Sequence, residues 1–186
     1  GLGGLAGRIT TAVAAKCQRL GISVPALAVE PGRVIAGPAG ITIYSVGTIK
    51  EVRITDQGAA ATRKYVSVDG GMSDNVRPAL YEAEYSANLA SRSSDAEAVL
   101  SRVVGKHCES GDIIVRHSML PADVAVNDLL AIPATGAYCF SLSSNYNYLP
   151  RPAVIAVKAG VVKVLIRAET ERDLLNRDAG FEPGEA

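Results

Sequence analysis

From Pro38 onwards the sequence is dominated by short segments in which apolar and polar residues alternate. A period of two places the apolar side chains on one face of a β-strand. The segments end at Gly, Asp or Pro, which favour turns. Repeated strands of this kind indicate a mainly β fold, a β-sandwich or a Greek-key barrel. The alternating segments are 41–46, 50–54, 64–68, 112–115, and the pair 154–157 and 161–166 joined by a turn at Ala159-Gly160.

The first 40 residues follow a different pattern. Apolar side chains recur at helical spacing over residues 5–20, and Gly21 then provides a helix end. Residues 26–29 form a short apolar run, as expected of a buried parallel strand. A single helix–strand unit cannot bury both faces of its strand. We therefore expect its neighbouring units to lie outside this chain.

Three further segments complete the domain plan. Residues 83–98 are polar and rich in Ser, which favours irregular structure at least in part. Residues 169–176 are expected to form a short helix with Thr170 as its N-cap. The pattern divides the chain into an N-terminal unit at 1–40, a β domain at 41–176 and a tail at 177–186 that frays from Gly180.

Charge and cysteine usage exclude several classes of function. The chain has 19 basic and 19 acidic residues, so charge gives no argument for binding nucleic acid or a membrane surface. No apolar run approaches the roughly 18 residues that a membrane helix needs. Cys17, Cys108 and Cys139 are too few and too widely spaced for a disulfide framework, which favours a cytoplasmic protein. The glycine-rich start without Met indicates a cut or processed end.

Two turns carry arginines that can bind an anion. The turn Glu30-Pro31-Gly32-Arg33 leaves a glycine N–H open and adds a guanidinium suited to a carboxylate or a phosphate. Arg77 and Tyr81 share a face if the segment that begins near Pro78 is helical. In each case the alternative is an ordinary turn or helix start with a surface arginine.

The run from His107 to Asp112 places a thiol beside a carboxylate just before a turn. Cys108 can be a proton donor, a nucleophile or a metal ligand. His107 is expected to point to the opposite face and not to activate it. A metal site is not expected, because His117 is isolated and no Cys-x-x-Cys pair occurs. The alternative is a buried structural cysteine.

The segment Thr135-Gly136-Ala137-Tyr138 combines small residues, which allow close backbone approach, with a tyrosine that can stack or hydrogen-bond. Residues 141–148 add hydroxyl and amide groups. The alternative is a loop packed by tyrosines.

Taken in order, these motifs resemble the C-terminal part of the diaminopimelate decarboxylases, which are pyridoxal 5'-phosphate (PLP) enzymes with an alanine-racemase-like fold. The resemblance extends from about Leu5 to Asn176 and looks closest to bacterial, actinobacterial-type sequences. The matching motifs are Glu30-Pro-Gly-Arg33, Val68-Asp-Gly-Gly-Met-Ser-Asp-Asn75, Arg77-Pro-Ala-Leu-Tyr81, Cys108-Glu-Ser-Gly-Asp112, Ala134-Thr-Gly-Ala-Tyr138, Ser143-Ser-Asn-Tyr-Asn147 and Arg151-Pro152.

The resemblance implies decarboxylation of meso-2,6-diaminopimelate to L-lysine and CO₂, the last step of lysine biosynthesis. It implies that residues 1–40 are the last helix–strand unit of a PLP-binding (β/α)₈ barrel that is otherwise missing. The implied roles are cofactor binding for Glu30, Pro31, Gly32, Arg33 and Tyr138, substrate binding for Arg33, Arg77, Tyr81, Glu109 and Tyr138, and reprotonation of the α-carbon for Cys108.

The resemblance also implies a homodimer in which Cys108 and Glu109 act in the partner's site. The lysine that forms the Schiff base with PLP lies on an early barrel strand in the family, and no lysine here matches its motif. The chain by itself is therefore expected to be inactive. Two alternatives remain open: a non-catalytic β domain for dimerisation or partner binding, and a related decarboxylase for ornithine, arginine or carboxynorspermidine.

Overall fold

A computed structural model describes residues 2–56 and 58–180 of the chain. They form two units, one that ends at Gly32 and one that begins at Arg33. The first unit contains helix α1 (Leu2–Leu20), which confirms the predicted helix and extends it towards the N-terminus. Gly21 ends the helix with a φ of +67°, a conformation that glycine adopts without steric cost. None of the helices in the described part has the length and apolar character needed to cross a membrane.

The predicted buried strand at residues 26–29 is wrong. The segment has no strand partner, and Leu27 and Val29 are 45% and 64% exposed. A strand is stabilised by hydrogen bonds to its neighbours and by burial of both faces in a parallel sheet. The described residues supply neither for this segment, so its apolar run remains outside a sheet.

The second unit is built on a mixed six-stranded sheet. The strands are β1 (Ile41–Asp56), β2 (Ala59–Val68), β3 (Asn88–Leu89), β4 (Ala98–Val104), β5 (Ile113–Pro121) and β6 (Leu129–Pro133). The strand order is β3-β6-β1-β2-β4-β5, and every neighbouring pair is antiparallel except β2–β4. At the two ends of this order, the Ser118 hydroxyl of β5 donates to the carbonyl of Ala87, next to β3, at 3.3 Å. The sheet is therefore nearly closed, which confirms the predicted barrel-like fold.

Two features of this sheet differ from the sequence pattern. The predicted strands 41–46 and 50–54 are one continuous strand, β1, with an irregularity between Val46 and Ile49. A bulge allows one strand to pair with β6 through its first half and β2 through its second. Strands β4 and β6 were not predicted. Their burial comes from neighbours distant in sequence.

The apolar core lies inside the curved sheet and includes residues from every strand of this sheet except the short β3. Leu89 of β3 is partly buried and packs against the core. Full burial of one such Val, Leu or Ile side chain stabilises the fold by about 1.5–3 kcal/mol. The buried core residues are Tyr44, Val46, Val66, Val68, Ala87, Val103, Ile114, Val115, Leu120, Val124, Leu130 and Ile132.

Two predicted C-terminal elements are confirmed. Strands β7 (Val154–Lys158) and β8 (Val161–Ile166) form an antiparallel hairpin. Its turn has positive φ at both Ala159 and Gly160, as a type I′ hairpin loop requires. Helix α4 (Glu171–Leu175) begins at Thr170, whose side chain accepts from the N–H of Asp173 in a capping box. The irregular segment 83–98 is also confirmed, apart from β3. Within the predicted tail, residues 181–186 lie outside the described residues.

Asp128 joins the segment after β3 to the start of β6. Its carboxylate accepts from the Arg92 guanidinium at 3.0 and 2.9 Å, from the Ser91 hydroxyl at 2.8 Å and from the Ala125 N–H at 3.0 Å. The hydrogen bonds from Arg92 are the main reason that the pKa of Asp128 is lowered to about 2.

This network predicts a stability contribution that depends on pH. A lowered pKa stabilises the fold above the unfolded value of about 3.9, and the contribution is lost as the pH falls towards 2. We expect Asp128→Asn to reduce the free energy of unfolding by about 2 kcal/mol at pH 7 and by much less at pH 2.5. Urea unfolding of both proteins at the two pH values measures this. An equal loss at both would contradict the role of the charge.

Candidate functional site

A cavity of about 570 Å³ opens in the second unit between two short helices, α2 (Gly32–Ala36) and α3 (Arg77–Tyr81). Helix α3 confirms the predicted helical segment, with Pro78 in its first turn. Two cations, Arg33 and Arg77, line the cavity together with one carboxylate, Glu84. The remaining lining residues are Val34, Gly37, Pro38, Ala83, Tyr85, Ser86, Pro133 and Ala134.

Arg77 is a buried cation whose guanidinium is not neutralised. The residue is 9% exposed, and its Nε is buried without a hydrogen-bond partner among the described residues. None of the ion pairs in the described part of the chain includes it. Burying an unpaired charge is costly. A side chain held in this state is suited to bind an anion that comes from outside the protein.

Tyr138 lies against this arginine. The Arg77 Cζ atom is 5.6 Å from the centre of the Tyr138 ring, within the range of a cation–π contact. Tyr138 has a φ of +64°, and Ala134 at the cavity wall has a φ of +62°. Such conformations cost about 1–3 kcal/mol in residues other than glycine and are frequent at functional sites. The Tyr138 side chain is 52% exposed, so much of it remains accessible to a ligand.

Tyr85 forms another part of the cavity wall. Its hydroxyl lies 3.5 Å from the Cys139 thiol, and burial raises the pKa of both groups. The positive charge of Arg77 opposes this rise in each case. Both groups are therefore held neutral at physiological pH. The sequence motifs did not single out either residue, and only their distance from Arg77 in the fold identifies them.

The Glu30–Arg33 turn differs in one respect from expectation. The N–H of Gly32, which was expected to be open to an anion, donates to the carbonyl of Glu30 at 2.9 Å. This short-range bond engages the glycine amide in the turn itself. Arg33 is exposed and lines the cavity, so its guanidinium is the anion-binding group of this turn that the structure leaves accessible.

The Cys108–Glu109 turn is exposed. The structure therefore contradicts the alternative of a buried structural cysteine, since Cys108 is a free, exposed thiol. The Glu109 carboxylate accepts from the N–H of Gly111 at 3.1 Å and lies 3.4 Å from the Ser110 hydroxyl. The Asp112 N–H closes the turn on the Glu109 carbonyl at 3.1 Å. The turn thus presents a thiol and a carboxylate side by side at the surface.

His107 points away from Cys108, as predicted, although it lies in a bend and not in a strand. Its ring is buried against Tyr146, with a centroid distance of 5.1 Å, and its Nε2 is 2.8 Å from the Ser73 hydroxyl. It is therefore not available as a base for the neighbouring thiol. In the part of the chain that the structure describes, no group of three or more His, Cys, Asp or Glu is arranged to hold a metal ion.

The structure brings together three of the predicted site residues, Arg33, Arg77 and Tyr138, around or beside one cavity. Tyr81, at the far end of α3, is exposed and does not line it. Cys108 and Glu109 also lie outside the lining residues. The predicted site is therefore divided within one chain: some of its residues lie at a cationic cavity, and Cys108 and Glu109 lie in an exposed thiol–carboxylate turn.

The second unit is a nearly closed β-sheet domain with a cationic cavity, and this domain can be compared with known protein families. The family model described as the C-terminal sheet domain of pyridoxal-dependent decarboxylases matches residues 33–136. The chain belongs to this family.

Curated relatives narrow the resemblance to one group of these enzymes. The chain is 56% identical over 172 residues to the diaminopimelate decarboxylase of Mycobacterium tuberculosis, which covers 92% of the chain and 38% of that protein. It is 43% identical over 177 residues to that of Bacillus subtilis, which covers 95% and 38%. The chain thus corresponds to the C-terminal part of diaminopimelate decarboxylases and spans under two fifths of their length.

Solved structures of diaminopimelate decarboxylases also resemble this chain. The crystal structure of diaminopimelate decarboxylase from M. jannaschii superposes with a TM-score of 0.73 at 34% identity, over 87% of this chain and 35% of that one. The enzyme from Helicobacter pylori in complex with L-lysine superposes with a TM-score of 0.67 at 31% identity, over 79% and 34%.

Proposed function

We propose that this chain is the C-terminal part of an enzyme that removes CO₂ from meso-2,6-diaminopimelate to give L-lysine. The observation that carries the proposal is the buried, unneutralised Arg77 beside Tyr138 on the cavity. It gives a carboxylate-binding site to a chain whose relatives are named diaminopimelate decarboxylases. The complex of one relative with L-lysine, the product of such a reaction, supports the same substrate class.

The substrate has the charges that these residues would bind. Diaminopimelate carries two carboxylates and two ammonium groups, so its recognition requires cations at both carboxylates and an anion at the far amine. Arg33 and Arg77 supply guanidinium groups at one cavity, which suit carboxylates through paired hydrogen bonds. Glu109 supplies an exposed carboxylate for the distal ammonium. We also propose that Tyr81, at the exposed end of α3, contributes to binding of the distal carboxylate.

The residues of this chain also fit one side of a PLP site. A phosphate needs cationic or N–H donors. Arg33, at the end of the turn that begins at Glu30, would provide a guanidinium for it, and the accessible Tyr138 would contact the cofactor ring. When bound, PLP supplies an electron sink for the carbon that loses CO₂. The protein then has to orient the substrate, exclude water and return a proton to that carbon. We assign the proton to the Cys108 thiol.

We propose that Cys108 and Glu109 act in the site of a partner subunit. Both are exposed and lie outside the lining of the cavity in their own chain. A homodimer that places this turn at the partner's cavity would join the anion-binding residues of one chain to the thiol and carboxylate of the other. This arrangement accounts for both halves of the divided site.

The exposed β7–β8 hairpin supports the proposal that a barrel domain completes the enzyme. All six residues of β8 are exposed, and five of them are Val, Leu or Ile. Contiguous apolar surface of this kind usually marks a site of protein contact. We propose that the barrel of the parent enzyme, which also carries the PLP-binding lysine, covers this hairpin. The three cysteines are free, in keeping with the cytoplasmic location that we propose.

The test is decarboxylation by the full-length enzyme with PLP. We expect kcat/KM for diaminopimelate to exceed that for ornithine by at least about 100-fold, because ornithine lacks the carboxylate that Arg77 would bind. CO₂ release and lysine formation measure the reaction, and the present chain alone is the matched control without activity. A preference for ornithine would assign the cavity to the related polyamine-forming decarboxylases. Absence of decarboxylation by the full-length protein would favour a non-catalytic β domain.

A further inference from the structure

Asp112 joins the two loops that carry the halves of the divided site. One carboxylate oxygen accepts from the N–H of Met72 at 2.6 Å, and the other accepts from the N–H of His107 at 2.8 Å. Met72 belongs to the loop at 70–76, which leads directly into Arg77. His107 belongs to the loop at 105–111, which carries Cys108 and Glu109. Asp112 is only 3% exposed, so solvent does not compete for these hydrogen bonds.

The backbone at Gly71 and Gly105 packs closely against the Asp112 carboxylate. A Cβ atom on Gly71 would lie 2.7 Å from both Asp112 oxygens, and one on Gly105 would overlap the carboxylate. Gly105 also donates its N–H to the Asp112 carbonyl at 2.9 Å. The two glycines are therefore required for backbone to approach the carboxylate from both sides. The fit fixes the position of one loop against the other.

A second contact joins the same loops. The Ser73 hydroxyl lies 2.8 Å from Nε2 of His107, and both residues are buried. A serine bonded to a histidine also occurs in hydrolases. Here neither residue lines the cavity between α2 and α3. Asp112 accepts from backbone N–H groups and not from the imidazole. The pair therefore reinforces the connection between the loops. The loop at 70–76 continues to Asn75, whose side chain accepts the Arg77 N–H at 3.3 Å.

We propose that Asp112 is a positioning residue for catalysis, which sets the Cys108–Glu109 turn at a fixed place relative to Arg77. The inference rests on the proposed function, in which the thiol must meet the substrate carbon at close range. A displacement of about 1 Å at a reacting group can cost about 100-fold in rate. If the turn serves the partner's site, Asp112 also connects the two sites of the dimer, because Arg77 serves one and Cys108 the other.

The first test is Asp112→Asn in the full-length enzyme. The amide keeps the shape of the side chain but turns one acceptor into a donor that faces a backbone N–H. We expect kcat to fall about 10- to 100-fold, with a smaller change in KM, and faster hydrogen exchange at the amides of Met72 and His107. Asp128→Asn is the matched control, because Asp128 is also buried and accepts a backbone N–H. It should lower stability and leave kcat unchanged.

A double-mutant cycle separates positioning from general destabilisation. If Asp112 acts through Cys108, Asp112→Asn should lower kcat much less in a Cys108→Ala background than in the wild type. Equal losses in the two backgrounds, or unchanged exchange at Met72 and His107, would overturn the inference.

The same variants distinguish a failure of the proposed proton-donor role from a failure of the positioning inference. If Cys108→Ala by itself leaves kcat unchanged, the proton-donor role is wrong, and the positioning inference is then decided by amide exchange and by alkylation of Cys108 with iodoacetamide. A changed alkylation rate in Asp112→Asn would support control of the turn by Asp112. An unchanged rate with unchanged exchange would exclude it.

Discussion

Replacement of Cys108 by alanine in the full-length enzyme is expected to lower kcat for diaminopimelate by about 100- to 10,000-fold, the range supplied by a positioned proton donor. KM is expected to change far less, because in the proposed role the thiol would act on the reacting carbon and not on the charged ends of the substrate. The exposure of Cys108 is consistent with this role, since the group can reach a substrate without rearrangement of the core. Steady-state kinetics on both parameters measure the effect.

The control for this variant is Cys17→Ala. Cys17 is a second free cysteine but lies in α1, outside the lining of the cavity. We expect its removal to leave kcat unchanged. A large increase in KM with an unchanged kcat in Cys108→Ala would contradict a role in proton transfer and would indicate a binding role for the turn.

Replacement of Arg77 by methionine is expected to raise KM for diaminopimelate by about 100-fold or more. Two charge-assisted hydrogen bonds to a carboxylate, at about 1.5–3 kcal/mol each, account for this magnitude. The same change is expected to leave the free energy of unfolding unchanged or to raise it. The guanidinium is buried without a counter-ion, so its removal relieves a desolvation cost while the methionine stem retains the packing.

This combination of lost binding and retained stability distinguishes a ligand-binding arginine from a structural one. Arg92→Met is the matched control, because Arg92 pairs with Asp123 and Asp128 away from the cavity. It should lower the free energy of unfolding and leave KM unchanged. A loss of stability in Arg77→Met comparable to that of Arg92→Met would show that Arg77 is structural.

Local pattern was enough to predict the elements whose stability is local. Helix α4 begins at Thr170, and the β7–β8 hairpin turns at Ala159-Gly160, because capping and turn chemistry act over a few residues. The alternation of apolar residues also predicted the barrel-like sheet. Strands β4 and β6 escaped prediction, since their burial depends on β2 and β1, which are distant in sequence. The apolar run at 26–29 shows the reverse case, in which a strand pattern remains unpaired without neighbours.

The order of motifs along the chain predicted the family, now shown by the family model and by the relatives. It also singled out Arg33, Arg77 and Tyr138, which the fold brings to one cavity. Their assigned roles remain predictions. The sequence could not identify Tyr85, because nothing in its local pattern indicates that its hydroxyl meets Cys139 beside Arg77.

The sequence by itself therefore determined the type of fold, the family and the residue types of the site, because strand alternation, turn chemistry and ordered motifs are local properties. Only the tertiary structure decided which groups are charged and unpaired, which are exposed and which hold others in place. Arg77 is buried without a counter-ion and Cys108 is exposed. Asp112 binds the N–H of Met72, from which it is separated by 40 positions in the chain. Burial and hydrogen-bond partners of this kind depend on contacts between distant segments, which no local pattern specifies.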